Sequence, residues 1–561
     1  MRNHVFCRCL LQLALLGLAL GACVGSPARV GQPVQPVTGM PAGTDGYPWW
    51  NDAVFYEIFV RSFYDSDGDG MGDFNGITQK LDYLNDGDPS TTDDLGVTGI
   101  WLMPIHPTGS YHGYDVIDYY AVNPEYGSMD DFKTMLTEAH QRGIKVIIDL
   151  VLNHTSSSNP WFLDAVANPD SPYRDWYIFS ATDPGYPGAW GQQAWRQASS
   201  GDYYFGNFDS SMPDLNYDNP EVRAEMGKVV EFWLEEVGVD GFRLDAARYL
   251  VEEGRAMSDT EANHEYWREF RQVYKASNPE AMTVGEVWTH SSTISQYLQG
   301  DELDLAFSFD LAEAILLQTG IRSAPSLRAS IEQNLLYLAD PSDAIFLSNH
   351  DTNRVMSRLG GDVAKAKTAA TILLTLPGVP FIYYGEEIGM TGAKPDEDIR
   401  TPMLWSSLGN AGFSLVDPWR PANGEYQNGV NVAGQHADPA SLLSHYRSLI
   451  HLRNNHVALR IGDYQPVQPG DDDNRVLAYM RQSQGEIVLV VINLGKDAVR
   501  EMQLSLPMGR LSGTYHVLPI FGLPADASMP DLTTNAAGGF DAYPLVEIPA
   551  NGALILQLVQ K

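Results

Sequence analysis

Cysteine is nearly missing from this 561-residue chain: there are three, and all lie within the first 23 residues. The remainder therefore holds no disulfide and no thiolate metal site. Basic residues are scarce too, with 36 Lys and Arg against 71 Asp and Glu and a formal net charge of −35. That balance argues against nucleic acid or an anionic membrane surface as partner. It suits a neutral substrate, or an acidic surface kept soluble outside the cell. Past residue 22 no run is apolar enough to span a bilayer, and no repeat of about 20–50 residues is present. What the chain does have is hydrophobic content, 44%, enough for a sizeable core. The length suits a large barrel with an appendage.

Residues 1–22 read as a leader outside the fold. Arg2 and Arg8 make a positive start, Leu10 to Leu20 a short apolar run, and Leu20-Gly21-Ala22 supplies small residues just before Cys23. This is the pattern of a secretory signal. It resembles a bacterial lipobox with Cys23 as the acylated residue, which would tether an otherwise soluble fold. Residues 23–46, rich in Pro, Gly, Val and Gln, read as the tether. The expected location is the cell envelope, periplasmic or at the surface, with release into the medium as the alternative; the anchor is the sole membrane contact, and the protein a monomer.

From Trp49 the pattern alternates strand and helix. Strands are predicted at Val54–Val60, Gly99–Pro104, Ile144–Leu150, Val237–Leu244, Thr283–Val287, Leu303–Phe307, Ala344–Ser348 and Val379–Tyr384. Ser128 caps a helix with Phe132, Met135, Leu136 and Ala139 on one face. Asn219-Pro220 opens another, with Val222, Met226, Val229, Val230, Trp233 and Leu234 inward. Eight strands with helices between them predict a (β/α)8 TIM barrel over 47–152 and 218–461. Residues 153–217, rich in Trp, Tyr, Pro, Gly and Asp, read as a subdomain inserted after strand 3. Arg475–Met480, Glu486–Leu494 and Ala553–Val559 predict a C-terminal antiparallel β domain over 462–561.

Active sites of such barrels sit at the C-terminal strand ends. Those ends carry Asp149, Asn153 and His154 (DLVLNH), Arg243 and Asp245 (GFRLDAAR, 241–248), Glu286 and Trp288 (GEVW), and His350 and Asp351 (LSNHD). Arg243 and Asp245, two apart on a strand, face one way. The guanidinium is expected to keep Asp245 ionised. Any one of these residues is explained as structural polarity, but so many at equivalent positions are hard to explain as packing.

These motifs, with GIWLMP, MPDLN (212–216) and YYGEEIG (383–389), resemble the α-amylase family of glycoside hydrolases, family 13, over nearly the whole chain after the leader. The resemblance implies Asp245 as nucleophile, Glu286 as general acid/base and Asp351 as transition-state stabiliser. It implies sugar contacts from His154, Arg243 and His350, with Tyr114 stacked under the sugar and Asp115 nearby. Two carboxyls are what a retaining glycosidase needs, one charged and one protonated. Glu286 must therefore titrate high, through apolar neighbours and the other carboxylates. MPDLN points to an intermediate subgroup containing α-amylases. The expected activity is endo-hydrolysis of α-1,4 links in starch, maltodextrins and related α-glucans. An exo-acting α-glucosidase or oligo-1,6-glucosidase, or a 4-α-glucanotransferase, is the alternative. A starch-binding surface protein has some support in Trp161, Trp176, Trp190 and Trp195.

DSDGDGMGD (65–73) is a metal loop on its own terms. Asp65, Asp67, Asp69 and Asp73 stand at positions 1, 3, 5 and 9 of an EF-hand-like pattern, with the Met71 carbonyl at 7. Hard oxygen ligands suit structural Ca²⁺. Related family members have a similar loop after the first strand. Many also have a second calcium site, which would fall at Asn153 and Asp214.

Overall fold

The computed structural model describes residues 43–338, 342–470, 474–483 and 485–561. The leader, Cys23 and the tether up to residue 42 lie outside them. Among the described residues no helix is long and apolar enough to cross a membrane.

Eight short parallel strands close into a barrel. They are Phe55–Ile58, Gly99–Leu102, Lys145–Leu150, Gly241–Leu244, Met282–Gly285, Leu305–Phe307, Asp343–Phe346 and Val379–Tyr383; they are numbered 1 to 8 below. Each is apolar almost throughout because both faces are covered, the inner by barrel contents and the outer by helices. Phe55, Trp101, Ile147, Val284, Phe307, Phe346 and Phe381 fill the interior. The rings of Phe55 and Phe381 stack at 4.5 Å. Trp49 and Trp50 join this cluster from the turn that leads into strand 1.

The helices follow their sequence signals. Met129–Gln141 starts from a Ser128–Asp131 capping box and buries Phe132, Met135, Leu136 and Ala139. Pro220–Glu231 starts from Asn219, whose side chain accepts from the Glu221 amide. One strand expectation needs correction. Val237 belongs to the π-helical continuation Phe232–Val237, and strand 4 begins only at Gly241. The helical face runs on through Trp233, Leu234 and Val237 until Gly238, at φ 94°, breaks it. At Gly241 a Cβ would lie 2.1 Å from the Met282 carbonyl oxygen, so that strand start requires glycine.

After strand 3 the insertion carries a helix, Pro160–Ala167, and a three-stranded antiparallel sheet of Phe179–Ser180, Tyr203–Phe205 and Trp195–Gln197 in that order. The C-terminal part is an eight-stranded antiparallel sheet. Three of its strands match the expectation. Asp463–Pro469, Gln503–Leu506, Leu532–Thr533 and Phe540–Pro544 had no apolar run to announce them, and Thr514–Phe521 was not predicted although residues 517–521 are apolar. In Asp463–Pro469 two prolines interrupt the pattern and only Val467 is fully buried.

The interior stack makes a direct stability test. Phe381→Ala should destabilise the fold by about 3–5 kcal/mol through lost burial and a residual cavity. An unchanged chemical-unfolding midpoint would contradict this account of the barrel interior.

Candidate active site

The parallel register places the functional side chains at one rim. Asp149 pairs with Arg243 across strands 3 and 4, and Leu244 with Gly285 across strands 4 and 5. Asp245 and Glu286 therefore leave adjacent strands just past their last paired residues. The turn after Asp245 puts Ala246 at φ 50°, a conformation unfavourable for a residue with a Cβ. It aims the Ala246 N–H at Glu286 Oε2, 3.1 Å away.

Arg243 is the hub. Its Nη1 donates to Asp149 Oδ1 at 2.9 Å, to Asp245 Oδ1 at 2.7 Å and to the Tyr114 hydroxyl at 3.3 Å. Its Nη2 donates to Glu286 Oε2 at 2.7 Å. Asp245 and Glu286 thus sit on opposite nitrogens of one planar guanidinium. The side chain of Asp149 is 0% exposed, against 11% for Asp245, 16% for Glu286 and 27% for Asp351. The last three reach the opening, whereas Asp149 serves the network from beneath.

Asp351 takes Arg400 Nη2 on Oδ1 at 2.8 Å and lies 3.1 Å from His350 Nε2 through Oδ2. His350 Nε2 also meets the Tyr114 hydroxyl at 2.6 Å, and the two rings stack at 5.5 Å. Glu57, at the end of strand 1, holds His350 Nδ1 at 2.6 Å. His154 Nε2 lies 3.1 Å from the Tyr114 carbonyl, and burial pushes its pKa down to about 4, so its ring is neutral.

Electrostatics separates the two central carboxyls. Burial is the main force raising Glu286 to about 7, with Arg243 opposing and Asp245 and Asp351 adding to it. Asp245 is pushed up to about 6, again chiefly by burial. Arg243 lowers Asp245 as expected, but desolvation together with Asp149 and Asp351 outweighs the guanidinium, so the net shift is upward. Asp351 goes the other way. Despite burial, His350, Arg400 and Arg243 hold it well below the usual carboxylate range.

Asp115 does not join this constellation. Its oxygens are taken by the Thr108 and Ser110 hydroxyls and the Gly109 amide, so it shapes the loop that carries Tyr114. Trp161 packs with Tyr119 and Trp176, and Trp176 and Trp195 are buried, so these three are core. Trp190 is 57% exposed. With Phe208, Arg248, Tyr249, Glu286 and Trp288 it lines a cavity of about 540 Å³ on the Glu286 side. Trp288 stacks face to face on Phe309 at 4.4 Å. Glu57 and Arg400 were missed by sequence reasoning. Glu57 ends a strand like the others and the same rule finds it; Arg400 lies in a loop beyond strand 8 and carries no such signal.

In the acidic loop, the carboxylates of Asp65, Asp67 and Asp73 offer oxygens within 4.8 Å of one another. That donor set, hard and negative, fits a divalent cation such as Ca²⁺. Asp69 lies outside that cluster; like the other three, its carboxylate accepts a loop amide, that of Met71 at 2.8 Å. Asp73 doubles as the cap of helix Phe74–Leu84. Near strand 3, Asn153 Oδ1 and Asp214 Oδ2 are both buried without a hydrogen-bond partner among the described residues. Two such acceptors, on segments joined by the His154–Asp214 bridge, suit a cation.

Comparison with known proteins agrees with the geometry. Residues 57–462 match the family model "Alpha amylase, catalytic domain", and 467–559 match "Alpha amylase, C-terminal all-beta domain". The chain is 42% identical over 454 residues to Alpha-amylase 3 of Dictyoglomus thermophilum, covering 80% of this chain and 86% of the relative. It is 35% identical over 523 residues to an oligo-1,6-glucosidase of Parageobacillus thermoglucosidasius, covering 80% and 91%. The crystal structure of α-amylase from H. orenii superposes with TM-score 0.77 at 40% identity, covering 90% of this chain and 99% of that one. The chain belongs to the α-amylase family, glycoside hydrolase family 13, and is an enzyme of that family.

Proposed function

We propose that the protein is a retaining endo-hydrolase of α-1,4-glucosidic bonds in starch and maltodextrins. The observation that carries the reading is one guanidinium shared by two carboxyls at the barrel mouth, both raised above the usual carboxylate range by burial, with Asp351 held below it beside them. Asp245, the first to ionise, attacks the anomeric carbon. Glu286, still protonated, gives its proton to the leaving oxygen and later takes one from water. Asp351, ionised throughout, faces the positive charge that develops on the sugar ring. Tyr114, His154, Arg243 and His350 surround that ring. The roomy aromatic cavity beside Glu286 favours a leaving group of more than one sugar, which supports endo action, as does the likeness to Alpha-amylase 3. The likeness to an oligo-1,6-glucosidase supports the exo-acting alternative. MPDLN favours the intermediate subgroup.

In the same reading, Asp65, Asp67 and Asp73 bind a structural Ca²⁺, and Asn153 and Asp214 contribute to a second. The leader and Cys23 make the protein an exported, lipid-anchored enzyme of the cell envelope; labelling with a fatty-acid probe, lost in Cys23→Ala, tests this.

Asp245→Asn should lower turnover by several orders of magnitude without loss of fold; hydrolysis at the wild-type rate would overturn the assignment. The rate should rise as pH passes about 6, when Asp245 ionises, and fall above about 7, when Glu286 loses its proton. An alkaline limb that survives unmoved in Glu286→Gln would contradict the acid role. With maltoheptaose blocked at its reducing end, a mixture of oligosaccharides should appear first, and glucose as the sole early product would favour the exo alternative. A chelator should lower the melting temperature of the wild type and leave Asp65→Asn less affected. An equal drop in both would remove the acidic loop as the calcium site.

A further inference from the structure

Glu57 lies outside the carboxyls assigned to the sugar. It is buried at the end of strand 1, with Oε1 2.6 Å from His350 Nδ1. The other ring nitrogen, Nε2, faces Asp351 Oδ2 at 3.1 Å and the Tyr114 hydroxyl at 2.6 Å. A neutral imidazole donates from one nitrogen only. A carboxylate stands by each nitrogen, Glu57 hydrogen-bonded to Nδ1 and Asp351 at ion-pair distance from Nε2, and together they favour the imidazolium. The Tyr114 hydroxyl is free to accept from it, because its own proton goes to Asp149 Oδ2 at 3.1 Å.

The surroundings hold the ring in that orientation. Trp101 of strand 2 sets its edge against it at 5.5 Å, and Tyr114 stacks on its face. Arg400 donates from Nε to the His350 carbonyl at 2.9 Å, which fixes the backbone. The charged and titratable groups around the ring are Glu57 on strand 1, Tyr114 after strand 2, Asp149 on strand 3, Asp351 beside it and Arg400 after strand 8, with Arg243 beyond Tyr114.

We propose that Glu57 is a positioning residue for glycoside cleavage: through Nδ1 it keeps His350 an imidazolium and aims Nε2–H at Asp351 and Tyr114. Burial alone would strip the ring of its charge, but Asp351 and Glu57 overcome it and push its pKa up to about 9. The charge therefore persists across the range in which Asp245 and Glu286 work. Without Glu57 the ring becomes neutral near or below the ordinary histidine value. Asp351 then keeps Arg400 but loses the second of its two adjacent cations at the pH where it is needed. The inference rests on the roles proposed above for Asp351 and His350.

The test is Glu57→Gln, which keeps shape and removes charge. Its kcat/KM relative to wild type should be modestly reduced at pH 5, where His350 is protonated in either form. The ratio should fall about tenfold or more further by pH 8, where only the wild type keeps the charge. Melting temperatures at both pH values check folding. A ratio that is flat with pH would reduce Glu57 to a structural residue and overturn the inference. If Glu57→Gln does not fold, proton NMR of the wild type decides. A far-downfield imidazolium N–H signal that persists at pH 8 and is missing from His350→Asn is expected; its absence from the wild type at pH 8 overturns the proposal. Activity in Asp245→Asn would instead count against the catalytic reading, leaving the Glu57–His350 contact as described.

Discussion

Arg243 is buried with its guanidinium against Asp149, Asp245 and Glu286, and the protonation of the whole mouth follows from how that charge is shared. Around it, Arg243, Arg400 and His350 supply three cations, facing the five carboxyls Asp149, Asp245, Glu286, Asp351 and Glu57. A buried site cannot hold all five ionised against three cations. The proton stays where cations are fewest. Asp351 has His350 and Arg400 and is held well below the usual carboxylate range; Asp245 and Glu286 have one nitrogen each of a shared guanidinium and are raised by burial. Cation distribution thus sets Asp351 apart from Asp245 and Glu286, which share Arg243 and are both raised by burial.

The fold supplies that distribution cheaply. Parallel strands in register deliver Asp149, Arg243, Asp245 and Glu286 to one level. A strained turn at Ala246 then directs a backbone N–H at Glu286. Beneath, the aromatic stack of Phe55, Phe307 and Phe381 excludes water, so the charges above are screened only from the open side. Above, the insertion after strand 3 contributes Trp190 and Phe208 to the wall beside Glu286. The short helix Val60–Phe63, which precedes the acidic loop, meets the loop that carries Arg400 through Ser62, whose hydroxyl donates to the Arg400 carbonyl at 2.5 Å.

Much of this could be read from the residues. Short, mostly apolar runs such as residues 146–148 of Lys145–Leu150, alternating with helical patterns, read as buried parallel strands, and polar residues at their ends stand out for that reason. Asp245, Glu286, Asp351, His350 and Tyr114 were found that way or through the motifs that contain them, and they converge. Asp115, next to Tyr114, did not: a carboxylate that satisfies its own loop looks the same in sequence as one that reaches a ligand. The net direction of the Asp245 pKa was not legible because Arg243, which lowers it, is visible in the sequence and burial, which raises it more, is not. Of the four tryptophans in the insertion, only Trp190 reaches the cleft, a distinction that depends on tertiary packing.

The central claim is that Asp245 and Glu286, held on one guanidinium, work as nucleophile and acid/base on the same side of one bond. It is tested most directly by following the first product anomer by proton NMR during hydrolysis of an α-1,4 glucan. The account predicts that the α-anomer appears first and the β-anomer only later by mutarotation. A β-anomer released first would mean single displacement by water, and would contradict the role given to Asp245.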